Sequence, residues 1–267
     1  MEGEAAAMGD SVGEGGGAAS GTVRAGVVGP ETATWEKESV IRVRGVTKIY
    51  RQGELEVPAL RGVDLDLAPG EFTAMAGPSG SGKTTRLNVV GALDHPTEGW
   101  AEVSGHRVSD LDAGEAAEFR LDHVGFIFQA YNLVPVLTAY ENAEFTLLLR
   151  GVDADRRRDV VEPLLERVGL GGMTDRRPPE LSGGQQQRVA VVRALATHPD
   201  VVLADEPTAN LDSATSGELL DMMLELNREM GITFLFSTHD ETVIERARRV
   251  IRLRDGRVDH VETRERA

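Results

Sequence analysis

Residues Gly77-Pro78-Ser79-Gly80-Ser81-Gly82-Lys83-Thr84-Thr85 fit G-x-x-x-x-G-K-[ST], a pattern that few folds can house. The motif needs a strand before it and a helix after it. Both are readable here: residues 71–76 form a short apolar run behind the Pro69-Gly70 turn, and residues 84–92 can run as a helix. Lacking a Cβ, the glycines let successive backbone N–H groups close around a polyphosphate, while the helix points its positive end at the same spot. Lys83 is then expected at the β- and γ-phosphates and the Thr84 hydroxyl on Mg²⁺.

A chain of 267 residues, 40% of them hydrophobic, can enclose a sizeable core as one large or two small α/β units. The formal net charge of −15 argues against a nucleic-acid partner bound through phosphate neutralisation, so none is expected. Cysteine is absent, which excludes disulfides, thiolate zinc sites, iron–sulfur clusters and a cysteine nucleophile. Neither a bilayer-length apolar run nor a basic-then-apolar leader occurs, so the chain is expected neither to span a membrane nor to be addressed for secretion.

Residues 1–38 are rich in Gly, Ala and Glu with few large apolar side chains, and are expected to be a disordered tail. Residues 39–260 carry the fold. Residues 40–43 alternate as an edge strand does, and residues 65–67 alternate again. Tyr50 falls at the end of this first strand pair, where its ring can stack on an adenine or serve as a rim tyrosine. Residues 124–128 read as a buried strand with Gln129 directly after it, placed to reach a metal or a water. From about 130 to 190 the patterns are mainly helical, with helices expected over 140–150 and 155–168, an insert within an α/β core. Residues 261–267 form a charged C-terminal tail.

Ser182 and Gln185 have capping-box spacing, and a helix follows them. Gly183 and Gly184 weaken that helix start by about 1 kcal/mol each, which is useful only where something approaches the backbone closely. A second anion site fits that description. Further on, Val201-Val202-Leu203-Ala204-Asp205-Glu206 is an apolar strand ending in two acids. Adjacent carboxylates at a buried strand end repel unless a cation is near, so Asp205 reads as an Mg²⁺ residue and Glu206 as the base polarising a water. His239 stands after the apolar strand 233–238; alone, such a histidine is more often structural than catalytic.

Taken together, Tyr50, the loop from Gly77 to Thr84, Gln129, Leu181-Ser182-Gly183-Gly184-Gln185, Asp205-Glu206, Asn210-Leu211-Asp212 and His239 resemble the ABC ATPase family in order and context. Leu181 to Gln185 is the most specific part, and the finer wording is similar to the lipoprotein-release and macrolide-export subgroup. The resemblance implies an α/β P-loop NTPase: a RecA-like core with a mostly parallel sheet, an N-terminal antiparallel β subdomain and an inserted α-helical subdomain. It also implies an ATP-hydrolysing subunit, working with ATP and Mg²⁺ in the cytoplasm, on the inner face of the cell membrane, through a separate integral-membrane permease. Two copies close head to tail on two ATP molecules. Each site then combines Tyr50, residues Gly77 to Thr85, Gln129, Asp205, Glu206 and His239 of one copy with the Ser182-Gly183-Gly184-Gln185 turn of the other, and Asp212 links the two sites. In this scheme Glu206, His239 and Gln129 serve the chemistry, and Thr84, Gln129 and Asp205 hold the metal. The implied task is export or extraction of a lipid-like, peptide or drug substrate; the alternative is signalling of the cell-division type through a membrane partner. Arg86 departs from the family pattern, standing where a leucine is common, and is expected to snorkel to solvent or find an acidic partner. Ala209 replaces a common glycine, and Trp100 stands where a small or acidic residue is frequent.

Overall fold

The computed structural model describes residues 39–53 and 55–264. The tail expected over 1–38 and the last three residues of the charged C-terminal tail lie outside the described residues. The chain opens with β1 (Ile41–Gln52) and β2 (Leu55–Leu67), followed by β3 (Phe72–Ala76), the phosphate-loop motif and α1 (Lys83–Val90). Next come β4 (Glu98–Val103), α2 (Ala113–His123) and β5 (Val124–Ile127). Three helices then follow without an intervening strand, α3 (Ala139–Leu149), α4 (Ala154–Arg167) and α5 (Gly183–Leu195). The remainder is β6 (Val201–Asp205), α6 (Ser213–Met230), β7 (Thr233–Thr238), α7 (Glu241–Arg246), β8 (Arg249–Arg254) and β9 (Arg257–Thr263).

Two sheets result. The smaller has the order β2-β1-β4, all antiparallel. This corrects the expectation of an edge strand at residues 40–43: β1 is the central strand, hydrogen-bonded on both sides. Its length also exceeds what the alternation shows, because register shifts near Val43, Val46 and Lys48 break the period-two pattern without ending the strand. The larger sheet has the order β5-β6-β7-β3-β8-β9, parallel except for β9. Asp255 and Gly256 both have positive φ, 48° and 76°, the turn type that closes a two-residue hairpin between β8 and β9. Pairing continues to Thr263, opposite Arg249, three residues into the stretch read as a charged tail.

The large sheet is covered on both faces, and alternate residues of β7 show it. Phe234 and Phe236 join Phe72 in a cluster with α3 to α7, while Leu235 joins Met75 in a second cluster with α1, α2 and the antiparallel sheet. The rings of Phe72 and Phe236 lie 4.6 Å apart, within the range in which tilted aromatic pairs attract. Local signals start the helices where they begin. Asp112, Thr138 and Ser182 each form a complete capping box with a Glu or Gln three residues on, satisfying N–H groups that helix geometry leaves unpaired. Asn142, 1% exposed, pins the approach to α3: its Oδ1 accepts from the Val134 N–H, and its Nδ2 donates to the carbonyls of Val134, Leu137 and Thr138.

Candidate functional site

Register decides which side chains meet. Ala76 on β3 stands opposite Thr238 on β7, and Ser237 on β7 stands opposite Asp205 on β6. The phosphate loop, Glu206 and His239 therefore leave the sheet at one edge, where the C-terminal ends of parallel strands place ligands in folds of this type.

Two glycines of the loop, Gly77 and Gly82, have no room for a side chain. A Cβ on Gly77 would come 2.5 Å from the Leu253 carbonyl oxygen, and one on Gly82 would come 2.6 Å from that of Ala59. Gly80 and Gly82 also hold φ of 80° and 90°, which disfavours any other residue. Lys83 folds back so that Nζ donates to the carbonyls of Gly77 at 2.7 Å and Pro78 at 3.3 Å. The Ser81 hydroxyl is buried in the cradle without a hydrogen-bond partner, an unmet polar group of the kind that a bound phosphate satisfies. Thr84 Oγ1 donates to Asp205 Oδ2 at 3.1 Å, and Asp205 Oδ1 accepts from Ser237 Oγ at 2.7 Å. A hydroxyl and a carboxylate in contact beside a phosphate cradle fit Mg²⁺, which takes one or two protein oxygens and completes its shell with phosphate and water. Among the described residues no group of three or more His, Cys, Asp or Glu side chains could hold a metal alone.

Glu206 sits just past β6 with φ of 47°, a strained conformation for a residue with a side chain. Its carboxylate is held from three sides: by the Thr238 hydroxyl at 3.1 Å, the His239 backbone N–H at 3.3 Å and His239 Nδ1 at 2.8 Å. A clasp behind it joins Thr208 Oγ1 to Asp240 Oδ2 at 2.6 Å. Ser237, Thr238, Thr208 and Asp240 were not singled out from the sequence. Their signal is the cluster of hydroxyl residues ending an otherwise apolar strand, Ser237-Thr238 after Phe234-Leu235-Phe236.

Tyr50 is tied down at the margin of the loop. Its hydroxyl donates to Asp94 Oδ2 at 2.8 Å, and the Lys48 ammonium lies 5.0 Å from the ring centroid. Partial burial, followed by the Asp94 bond, pushes the tyrosine pKa above its ordinary value. Gln129 is exposed, and its side chain meets neither Thr84 nor Asp205; its carbonyl accepts from Asn210 Nδ2 at 2.8 Å.

Within one chain, the Ser182 hydroxyl caps α5 through the Gln185 N–H, and neither residue bonds to the phosphate loop. The glycine pair has close neighbours inside its own chain. A Cβ on Gly183 would lie 2.8 Å from the Tyr131 hydroxyl, and one on Gly184 would lie 2.6 Å from Thr215 Cγ2. Side chains of the same molecule, not an anion alone, demand the close approach. Asp212 caps α6, accepting from the N–H groups of Ala214 and Thr215 and from the Thr215 hydroxyl at 2.7 Å. Those Thr215 bonds hold its carboxyl below the usual carboxylate range.

The expected escape of Arg86 is also corrected. It neither snorkels nor pairs: it is 3% exposed, and Nε, Nη1 and Nη2 all lack partners. Its helix turns that side chain toward the antiparallel sheet, and no carboxylate is within reach there.

Comparison with known proteins follows the same lines. A profile of the family described as ABC transporter matches residues 60–209. A macrolide export ATP-binding/permease protein, MacB, from Syntrophobacter fumaroxidans is 46% identical over 222 residues, 82% of this chain and 31% of that protein. The lipoprotein-releasing system ATP-binding protein LolD of Anaeromyxobacter dehalogenans is 47% identical over 219 residues, 82% of this chain and 92% of its own length. The chain thus spans about a third of the macrolide-export relative and nearly all of the lipoprotein-releasing one. Among solved structures, an ATP-binding cassette captured as a dimer in a post-hydrolysis state with ADP and Pi superposes with a TM-score of 0.78 at 41% identity, covering 85% of this chain and all of that one.

Proposed function

We propose, on the premise that this chain belongs to the ABC transporter family, that it is the ATP-hydrolysing subunit of a transporter and drives a separate membrane permease. The observation that carries this reading is the shared sheet edge, where the Lys83 cradle, the Thr84–Asp205 pair and the Glu206–His239 pair converge, while Ser182 and Gln185 at the capped end of α5 bond to each other and not to that cradle.

In this reading the ATP phosphates lie in the Gly77 to Thr85 cradle, with the adenine against Tyr50. Lys83 exchanges its bonds to Gly77 and Pro78 for phosphate oxygens. Thr84 and Asp205 would hold Mg²⁺, with Gln129 joining after its loop moves; the ion, when bound, offsets negative charge on the transferring phosphoryl group. Glu206 accepts a proton from the attacking water, and His239 orients that carboxylate. A second copy, placed head to tail, brings Ser182, Gly183, Gly184 and Gln185 over the γ-phosphate, and the N-terminal end of α5 supplies N–H groups and dipole to the developing charge. Asp212, at the start of α6, links the two sites. The lipoprotein-releasing and macrolide-export relatives support an export or extraction role at the inner face of the membrane. Among the described residues no helix is long and apolar enough to cross a bilayer. Residues 39–260 act as one ATPase unit, with the helical stretch 130–190 as the lever that meets the permease.

Dilution tests this. Specific ATPase activity is expected to rise with protein concentration in the range where pairing is incomplete, and Ser182→Ala is expected to lower it. Activity strictly proportional to concentration and indifferent to Ser182 would place the chemistry in a lone molecule.

A further inference from the structure

Gly184, Gln187, Ala190, Val191 and Ala194 form a buried stripe along α5 at helical spacing. Gln187 is its polar member and is wholly buried. Its Nε2 donates to the carbonyl of Pro207 at 2.7 Å. A carbonyl only accepts, so the amide nitrogen must face it, which leaves Gln187 Oε1 buried with no hydrogen-bond partner. Methionine would fill the same volume without burying that unmet oxygen, so packing alone does not account for an amide here.

The bond lands on the turn that carries Glu206. Residues 206–209 are closed by the Ala209 N–H donating to the Glu206 carbonyl at 3.2 Å, with Pro207 at the turn position that favours proline. Each central residue is anchored to another element: Pro207 by Gln187 of α5, and Thr208 by its hydroxyl, which donates to Asp240 Oδ2 at 2.6 Å. Asp240 leads back to the carboxylate. Its N–H donates to Thr238 Oγ1 at 3.0 Å, and that hydroxyl donates to Glu206 Oε2 at 3.1 Å. Backbone turn and carboxylate are thus held in one closed ring of bonds, and Gln187 attaches that ring to α5. Glu206 keeps its φ of 47°, a conformation that persists only where neighbours over-determine it.

We propose that Gln187 is a positioning residue for the Glu206 carboxylate, acting through the Pro207 carbonyl, so that α5 sets the aim of the base as well as the place of the Ser182 to Gln185 turn. This rests on the reading of Glu206 as the base. Gln187 itself touches no reacting atom. Loss of its amide releases the Pro207 carbonyl, lets the turn tilt and moves the carboxylate away from the attacking water. The phosphate cradle, held by the bonds of Lys83 to Gly77 and Pro78, is left intact.

The test measures steady-state and single-turnover ATP hydrolysis by the full chain carrying Gln187→Met. Its kcat is expected to fall by about 10–100-fold, with KM for ATP changed by less than about twofold. In a Glu206→Gln background the same substitution is expected to alter the residual single-turnover rate by less than about twofold, because the carboxylate it aims is gone. Gln187→Leu gives the same comparisons should the methionine variant fold poorly. An unchanged kcat, a loss confined to KM, or an equal loss in the Glu206→Gln background would each overturn the proposal. Should Glu206→Gln alone turn over at the wild-type rate, the reading of Glu206 as base fails and the proposal with it, a failure told apart because it shows with Gln187 unchanged.

Discussion

His239 Nδ1 lies 2.8 Å from Glu206 Oε1, and the histidine side chain is 73% exposed against 16% for the glutamate. A carboxylate only accepts, so this contact places a proton on Nδ1 and leaves Nε2 on the far side of the ring. The glutamate is thereby held by a neighbour that itself faces solvent. Strain at Glu206, with φ of 47°, is tolerated because Thr238 and the His239 N–H hold the same carboxylate.

Glu206→Gln keeps the size of this side chain and removes its basicity. Turnover is expected to fall by about 10²–10⁴-fold, with ATP binding retained and an ATP-held dimer accumulating. Single-turnover hydrolysis together with size-exclusion chromatography in saturating ATP checks this; a monomeric profile would remove Glu206 from the assigned role.

Gly184→Ala is expected to destabilise the chain by about 1–3 kcal/mol, the usual cost of overpacking, because the new methyl meets Thr215 Cγ2 at 2.6 Å. Thr215→Ser deletes that methyl and keeps the hydroxyl bonded to Asp212. Adding it to Gly184→Ala should therefore restore most of the lost Tm, measured by calorimetry without nucleotide. A double variant as unstable as the single one would show that the clash lies elsewhere.

Asp212 gives a pH dependence with a defined sign. Bonds from Thr215 hold its carboxyl below the usual range in the folded chain, so its capping contribution is complete above the unfolded carboxylate value of about 4. As pH falls through the lower folded value, that contribution disappears. The Tm gap between wild type and Asp212→Ala should accordingly be constant near neutrality and close below about pH 4. A gap that persists into stronger acid would mean that the carboxylate is not what stabilises the start of α6.

Much of the site was legible because its residues sit at element junctions with local signatures. Ser182 and Gln185 announced their capping box, and the apolar run 201–204 announced the buried strand that delivers Asp205 and Glu206. The phosphate loop declared its glycines, and each proved to have a backbone or steric reason. Less legible was anything set by a distant partner. The length of β1 is hidden by its register shifts, and Tyr131 and Thr215 give no local sign that they crowd Gly183 and Gly184. Gln129 was readable as a strand-end amide, yet its side chain stands away from the Thr84–Asp205 pair.

By itself the sequence determined the order of elements, the caps, the cradle and the identity of the polar groups, since these follow from backbone sterics and hydrogen bonding between near neighbours in the chain. Only the tertiary structure decided that β3 lies between β7 and β8, which brings Thr84 to Asp205 across more than a hundred residues, and that Arg86 faces valines instead of water. Strand order and side-chain surroundings arise from pairing and packing between segments far apart in the chain, and short-range residue patterns carry no record of them.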